Sequence, residues 1–310
     1  AWRIVGNGDF DGNGKSDLLW WNSTTGQVYA MLMNGLSIAG GAQVYQEPNT
    51  AWQIVAVGDL NGDRKADLVW WNHSTGQVYG MLMNGTGMAQ SGMIYQEANT
   101  AWRILAARDF TGDGQADLLW RNTTTGQVYL MLMNGLSLAG GAMVYQEPDL
   151  AWSIVAVGDL NHDGKNDLIW RNNQTGQVYG MLMNGPGISS QGMMYTEANT
   201  AWQIVASGDY SGDGKADLLW RNVTTGQVYE MVMSGLMVAG GAQIYQEADP
   251  NWRILATAAV SRLPLPTTSH FATLSGQLGA SYPPLAGESV NPATALSGSA
   301  LNSGWLPPTP

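Results

Sequence analysis

The chain has 310 residues, with 13 Lys and Arg against 24 Asp and Glu, no cysteine, 40 glycines and 14 tryptophans. A net charge of −11 leaves no basic footprint for nucleic acid or anionic lipid, and zero cysteine excludes disulfides, thiol catalysis and Cys-based zinc sites. Apolar content of 45% with abundant Trp argues against disorder, no apolar run approaches the ~20 residues of a membrane span, and a start at Ala1 without an apolar leader reads as a processed product or a fragment.

In chain order, residues 2–8, 18–22, 27–34 and 42–47 are short segments rich in Val, Ile, Leu, Trp, Tyr and Met, separated by Gly, Asn, Ser and Thr. They predict four strands and no helix. The third is apolar on both faces, Val28 and Leu32 one way and Tyr29, Met31 and Met33 the other, so it must lie inside a layered stack. The whole unit then returns with a period of 50 residues. Trp2, Trp52, Trp102, Trp152, Trp202 and Trp252 each open a W-x-I segment, and Tyr45, Tyr95, Tyr145, Tyr195 and Tyr245 mark the fourth strand. Five units cover residues 1–50, 51–100, 101–150, 151–200 and 201–250 without insertion, and a sixth starts over 251–257 and dissolves. Four strands per repeat, repeated radially, predict an all-β, five-bladed β-propeller over 1–257. Units one, three and five share a G-L-[SM]-x-A-G-G-A segment that units two and four lack, which points to duplication of a two-unit block.

Between its first two strands each unit places an acidic loop. In unit one, Asp9, Asp11, Asn13 and Asp17 stand at loop positions 1, 3, 5 and 9, and Lys15 at position 7 offers its backbone carbonyl. The same positions hold Asp59, Asn61, Asp63, Lys65 and Asp67, then Asp109, Thr111, Asp113, Gln115 and Asp117. The last two loops hold Asp159, Asn161, Asp163, Lys165 and Asp167, and Asp209, Ser211, Asp213, Lys215 and Asp217. Alternating hard oxygens on a glycine-rich turn are what Ca2+ coordinates, whereas Mg2+ demands tighter octahedral geometry. Carboxylates this close repel one another, and a divalent ion removes the repulsion. Position 12 is Trp20 or its equivalent rather than a bidentate Glu, so the loop is not an EF-hand. Position 6, expected to be left-handed, is Gly in four loops and Arg64 in the second, which predicts that site two is the weakest. About five calcium ions, one per repeat, would bring the charge close to neutral.

The unit AWQIVAVGDLNGDRKADLVWWNHSTGQVYGMLMNG, from Ala51, resembles an FG-GAP/VCBS repeat in its D-x-[DNTS]-x-[DN]-x-x-x-D loop, its D-L-[LVI]-W strand and its G-Q-V-Y segment. Such repeats occur in bacterial surface proteins and integrin α-chain heads. The resemblance covers residues 1–250 and implies calcium ligands at the loop positions named above. The Phe-Gly and Gly-Ala-Pro elements of that family are missing here.

Other features point less sharply. His73, His162 and His270 do not recur, which argues against a shared histidine-based catalytic site. Glu47, Glu97, Glu147, Glu197 and Glu247 form a symmetric ring that reads as an exposed strand end. Trp21, Trp71, Arg121, Arg171 and Arg221 share one blade position and are candidates for stacking on sugars, or else flat side chains covering apolar surface. Asn22, Asn72, Asn84, Asn122, Asn173 and Asn222 lie in N-x-[ST] sequons. The tail, 258–310, holds eight of the twelve prolines with Phe271, Tyr282 and Trp305, and is expected to be an extended Pro/Ser-rich segment. Six W-x-I strands for five blades leave one surplus, expected to mediate self-association together with the tail.

These features point to a non-catalytic, secreted or cell-surface, calcium-binding propeller serving adhesion or self-assembly. The competing reading is a lectin with one glycan site per blade.

Overall fold

The computed structural model describes residues 2–249 and 251–254, with the backbone of 270–272. Blade one consists of strands Trp2–Gly8, Asp17–Asn22, Gln27–Asn34 and Ser37–Gln46, hydrogen-bonded in that order and antiparallel throughout. Four further sheets of the same order recur at 50-residue steps, so the protein is an all-β, five-bladed β-propeller array. No helix among the described residues is long and apolar enough to cross a membrane.

Three strands fall where the hydrophobic pattern puts them. The fourth begins at residue 37, five residues before its predicted start, because the Gly-Gly pair reads as a separator in sequence. Gly41 in fact pairs with Met31, and a Cβ there would lie 2.8 Å from the Tyr29 Oη. The Ala30 carbonyl would lie closer still, at 2.7 Å, whereas blades two and four take Ser91 and Gln191 at the same register. Gly35, at φ 63°, makes the tight turn between the third and fourth strands.

The blades stack face to face, and the core lies between them. Phe10, Leu19, Val28 and Ala30 on the trailing face of blade one pack with Val57, Ala66, Leu68, Trp70, Met81 and Met83 on the leading face of blade two. Val78 and Leu82, on the other side of the third strand of blade two, pack against blade three, so that strand is buried on both faces as its sequence requires. Blades three and four, and blades four and five, repeat the arrangement. Tyr45 meets Trp70 edge-on with ring centroids 5.8 Å apart, and Tyr95–Trp120, Tyr145–Trp170 and Tyr195–Trp220 copy it at 6.3, 6.0 and 6.1 Å. Edge-on pairs contribute ~0.5–1.5 kcal/mol each beyond the area they bury.

The surplus W-x-I strand, Trp252–Ile254, takes the place of the first strand of a sixth blade. Ile254 packs on Ala206, Leu219 and Val228 of blade five, and the Arg221 guanidinium donates to the Trp252 carbonyl. Its backbone pairs in parallel with 270–272. The rest of the predicted tail lies outside the described residues.

Candidate metal centres

The acidic loop is built by hydrogen bonds that its own sequence specifies. Oδ1 of Asp9 accepts from the Gly12 and Asn13 N–H groups at 2.7 and 3.1 Å, and Oδ2 accepts from Gly14 at 2.7 Å. To aim those donors inward the chain turns left-handed twice, at position 4 (Gly12, φ 78°) and at position 6 (Gly14, φ 80°). The other loops repeat the nest around Asp59, Asp109, Asp159 and Asp209. The left-handed position 6 includes Arg64, at φ 66°, as its sequence position implies. Position 4 is left-handed as well: there loop four carries His162 at φ 62°, so each of two loops holds one non-glycine left-handed residue.

Position 9 ties the loop to the sheet. Asp67 is completely buried; its Oδ2 accepts from Leu60 N and its Oδ1 from Met83 N, both at 2.8 Å. Asp17, Asp117, Asp167 and Asp217 make the same pair of bonds, at 2.7 to 3.1 Å. Burial pushes the Asp67 carboxyl up to about 7 against the pull of those two N–H donors, and the charges of Asp63 and Asp59 raise it further. Asp167 is pushed up to about 7 and Asp117 to about 6 by the same causes, and Asp17 is also raised.

In loop one the ligand atoms of Asp9, Asp11 and Asp17 lie within 4.8 Å of one another. Three converging carboxylates, one of them buried and raised first by that burial and then by the charges of Asp11 and Asp9, make a donor set that fits a hard divalent ion. Among the described residues this three-carboxylate convergence is confined to loop one. Position 3 is Asn61, Thr111, Asn161 or Ser211 in the other loops, whose third acid stands at position 5, accepting from the N–H two residues on as Asp11 does in loop one.

Position 7 uses its side chain elsewhere. Lys15, Lys65 and Lys165 donate to the Oδ1 of Asn34, Asn84 and Asn184, and Gln115 accepts from Gly135 N at 3.1 Å. Blade five has Ser234 at the asparagine position, and Lys215 instead forms an ion pair with Asp213 at 3.0 Å.

The loops are also joined to one another. The position-1 carbonyls of Asp9, Asp59, Asp109 and Asp159 accept from Ala66, Ala116, Asn166 and Ala216 N of the next blade at 2.5 to 2.8 Å. His162 Nδ1 lies 2.8 Å from the Gly214 carbonyl in the following loop.

Of the two uses expected for the five side chains at the shared blade position, their placement fits flat side chains covering apolar surface. Trp71, Arg121, Arg171 and Arg221 are buried between blades, and Trp21 is half-buried. Arg121 lies 5.0 Å over the Trp170 ring and donates to the Trp152 carbonyl at 2.6 Å; Arg171 lies 4.9 Å over Trp220. Their flat faces are spent on holding one blade to the next, a use that depends on the neighbouring blade and is invisible within a unit. Trp71, stacked under Arg103 at 4.5 Å, and Arg121 border a cavity of about 400 Å³ at blades two to four.

Glu47 and its four equivalents cap a turn, each Oε1 accepting from the N–H two residues on. The sequon residues Asn72, Asn122 and Asn222 are buried and cap the hairpin through Oδ1, which leaves them no room for a glycan. Asn84, in contrast, is exposed.

Tandem four-stranded blades, each with a nested acidic turn between its first two strands, define a class of repeat propeller. The chain belongs to the FG-GAP-like repeat family, which matches residues 9–70, 59–120, 109–170 and 159–220. No curated protein sequence matches it. Similar solved structures include the Tc holotoxin pore of Photorhabdus luminescens, at 16% identity and TM-score 0.40 over 74% of this chain. Streptogramin B lyase is 9% identical, with TM-score 0.47 over 75% of this chain. Regucalcin from Agrobacterium tumefaciens, described as a calcium-binding protein, is 9% identical with TM-score 0.48 over 78% of this chain and 77% of its own. The chain spans 15% of the toxin chain and 66% of the lyase.

Proposed function

We propose that the protein is a non-catalytic, extracellular scaffold whose blades are set by calcium, and that it serves adhesion or assembly. The observation that carries this reading is the loop itself: a carboxylate nested by N–H donors, a second buried carboxylate tied to the third strand, and a carbonyl bonded to the next loop. The residues at positions 1, 3, 5, 7 and 9 would hold the ion, with loop one the best prepared. Calcium would supply charge neutralisation at carboxylates that otherwise repel. Holding them together fixes the turn between the first two strands and, through the position-1 carbonyl, the seat of the next blade. Sites of this kind in extracellular modules bind at ~10⁻⁴ to 10⁻³ M, which suits a role outside the cell. Burial of Arg171 and Arg221 between blades weighs against a lectin that repeats one sugar site in every blade.

Calorimetric titration of the calcium-free chain, with magnesium as the control, tests the reading. Uptake of about five calcium ions, with a rise in melting temperature that magnesium does not reproduce, is the expected result. No heat and no shift at several millimolar calcium would overturn it.

A further inference from the structure

One cavity breaks the repetition of the blades. It lies at the first strands of blades two to four, and its volume of about 400 Å³ falls within the ~300–1,000 Å³ of small-molecule sites. Blade one precedes it and blade five follows it, so neither end of the chain forms its wall, and no residue of an acidic loop borders it. The first strands of blades two and three, and of blades four and five, run side by side, whereas Trp102–Arg108 and Trp152–Gly158, of blades three and four, stand further apart. At the middle position of W-x-I the six segments carry Arg3, Gln53, Arg103, Ser153, Gln203 and Arg253, so Ser153, on the cavity wall, is the shortest of the set. Leu150, also on the wall, is 47% exposed, where the other units have Thr50, Thr100, Thr200 or Pro250. With Leu105 and Val155 it gives the cavity an apolar lining.

The charge at this cavity is of one sign. Arg103 and Arg121 both border it, and no Asp or Glu does. The two arginines stand opposite each other in the register of the first and second strands. The other blades pair Arg3 with Trp21, Gln53 with Trp71, Ser153 with Arg171 and Gln203 with Arg221. Like charges opposed across two strands destabilise a sheet. Nη1 of Arg103 donates to the carbonyls of Thr100 and Trp102, and its Nε is buried without an acceptor. Arg121 gives Nη2 to the Trp152 carbonyl. Neither guanidinium makes an ion pair among the described residues. Burial pulls both below their ordinary value; the charge of Glu147 opposes this at Arg121, and no acid opposes it at Arg103. Buried charges are normally paired, so two cations without a counter-ion, in a chain of net charge −11, mark a site that lacks an anion.

We propose that this cavity binds a small organic anion, its carboxylate between Arg103 and Arg121 and its apolar body against Leu105, Leu150 and Val155. Arginine presents its donors as a planar fork that matches a carboxylate, and the Trp71 ring, 4.5 Å beneath Arg103, holds that plane in place. The anion relieves the repulsion within blade three, which only this blade has among the five. The proposal stands whether or not the loops hold calcium, since the two sets of residues do not overlap.

The test is calorimetric titration of the full chain, in millimolar calcium, with hexanoate and 3-phenylpropionate, each against its uncharged amide, and with galactose as a neutral sugar. At least one of the two carboxylates is expected to bind with a Kd below ~1 mM and roughly tenfold or more tightly than its amide. Arg103→Gln and Ser153→Gln each install the residue that blades two and five carry at that position, so both variants are expected to melt near the unaltered protein. The first removes a charge and the second narrows the cavity, and each should weaken the carboxylate roughly tenfold or more. Binding of neither carboxylate overturns the proposal, as does equal binding of acid and amide, or affinity that both variants leave unchanged. Galactose binding as tightly as the carboxylates would assign the cavity to a neutral sugar instead.

Discussion

Raising the pH of the calcium-free protein from about 4 to about 7.5 should destabilise it, and calcium should cancel the effect. Asp67 carries the argument. Its carboxyl is fully buried, and its folded pKa of about 7 stands well above the ordinary 3.8, mainly through burial, with Asp63 and Asp59 adding to it. A folded pKa above the unfolded one means that the folded state binds the proton more tightly. Stability is then intact below about pH 4 and is lost as pH rises through about 7. At ~1.4 kcal/mol per pH unit the cost is ~4 kcal/mol at Asp67 and as much at Asp167, with Asp117 adding less in the same sense. That is a large part of the ~5–15 kcal/mol a domain has. An ion that prefers the ionised carboxylates removes the penalty, so binding near pH 6 should also release protons. The assay is a series of thermal melts from pH 4 to 7.5 in chelator and in millimolar calcium. A chelated protein whose melting temperature stays level or climbs over that range would refute the account of position 9.

Three further outcomes follow from single positions. Arg64→Gly relieves a left-handed residue at φ 66° while keeping the N–H that donates to Asp59 at 2.6 Å, so it should stabilise the protein by ~1 kcal/mol and tighten the second calcium site in a titration. Lys215→Gln frees Asp213 from its 3.0 Å ion pair and should raise the affinity of the fifth site; unchanged affinity would show that Asp213 is not a ligand. Gly226→Ala would put a Cβ 1.5 Å from the Glu247 carbonyl oxygen at a residue with φ 72°, and urea unfolding should register a loss of more than ~2 kcal/mol.

Much of the architecture was legible because it is written locally and five times over. The double-sided third strand declares itself through Val28 and Leu32 against Tyr29, Met31 and Met33, since only a stacked sheet buries both sets. The acidic loop declares itself because the nest around its position-1 carboxylate closes within five residues. The left-handed residue at position 6 could be read off four glycines. Position 4 was equally marked by glycine, and His162 concealed it in only one loop.

What the sequence by itself determined is therefore the repeat, the strands and the loop, the parts whose partners lie within 50 residues. What only the tertiary structure decided depends on the neighbouring blade. The planar side chains at Arg121 and Arg171 became interblade clamps because Trp170 and Trp220 lie beneath them. Leu36, Leu136 and Leu236 are alike in their own units, yet two are packed and one stands in solvent. Burial is a property of pairs of surfaces, and a period read along the chain does not say which surface comes next.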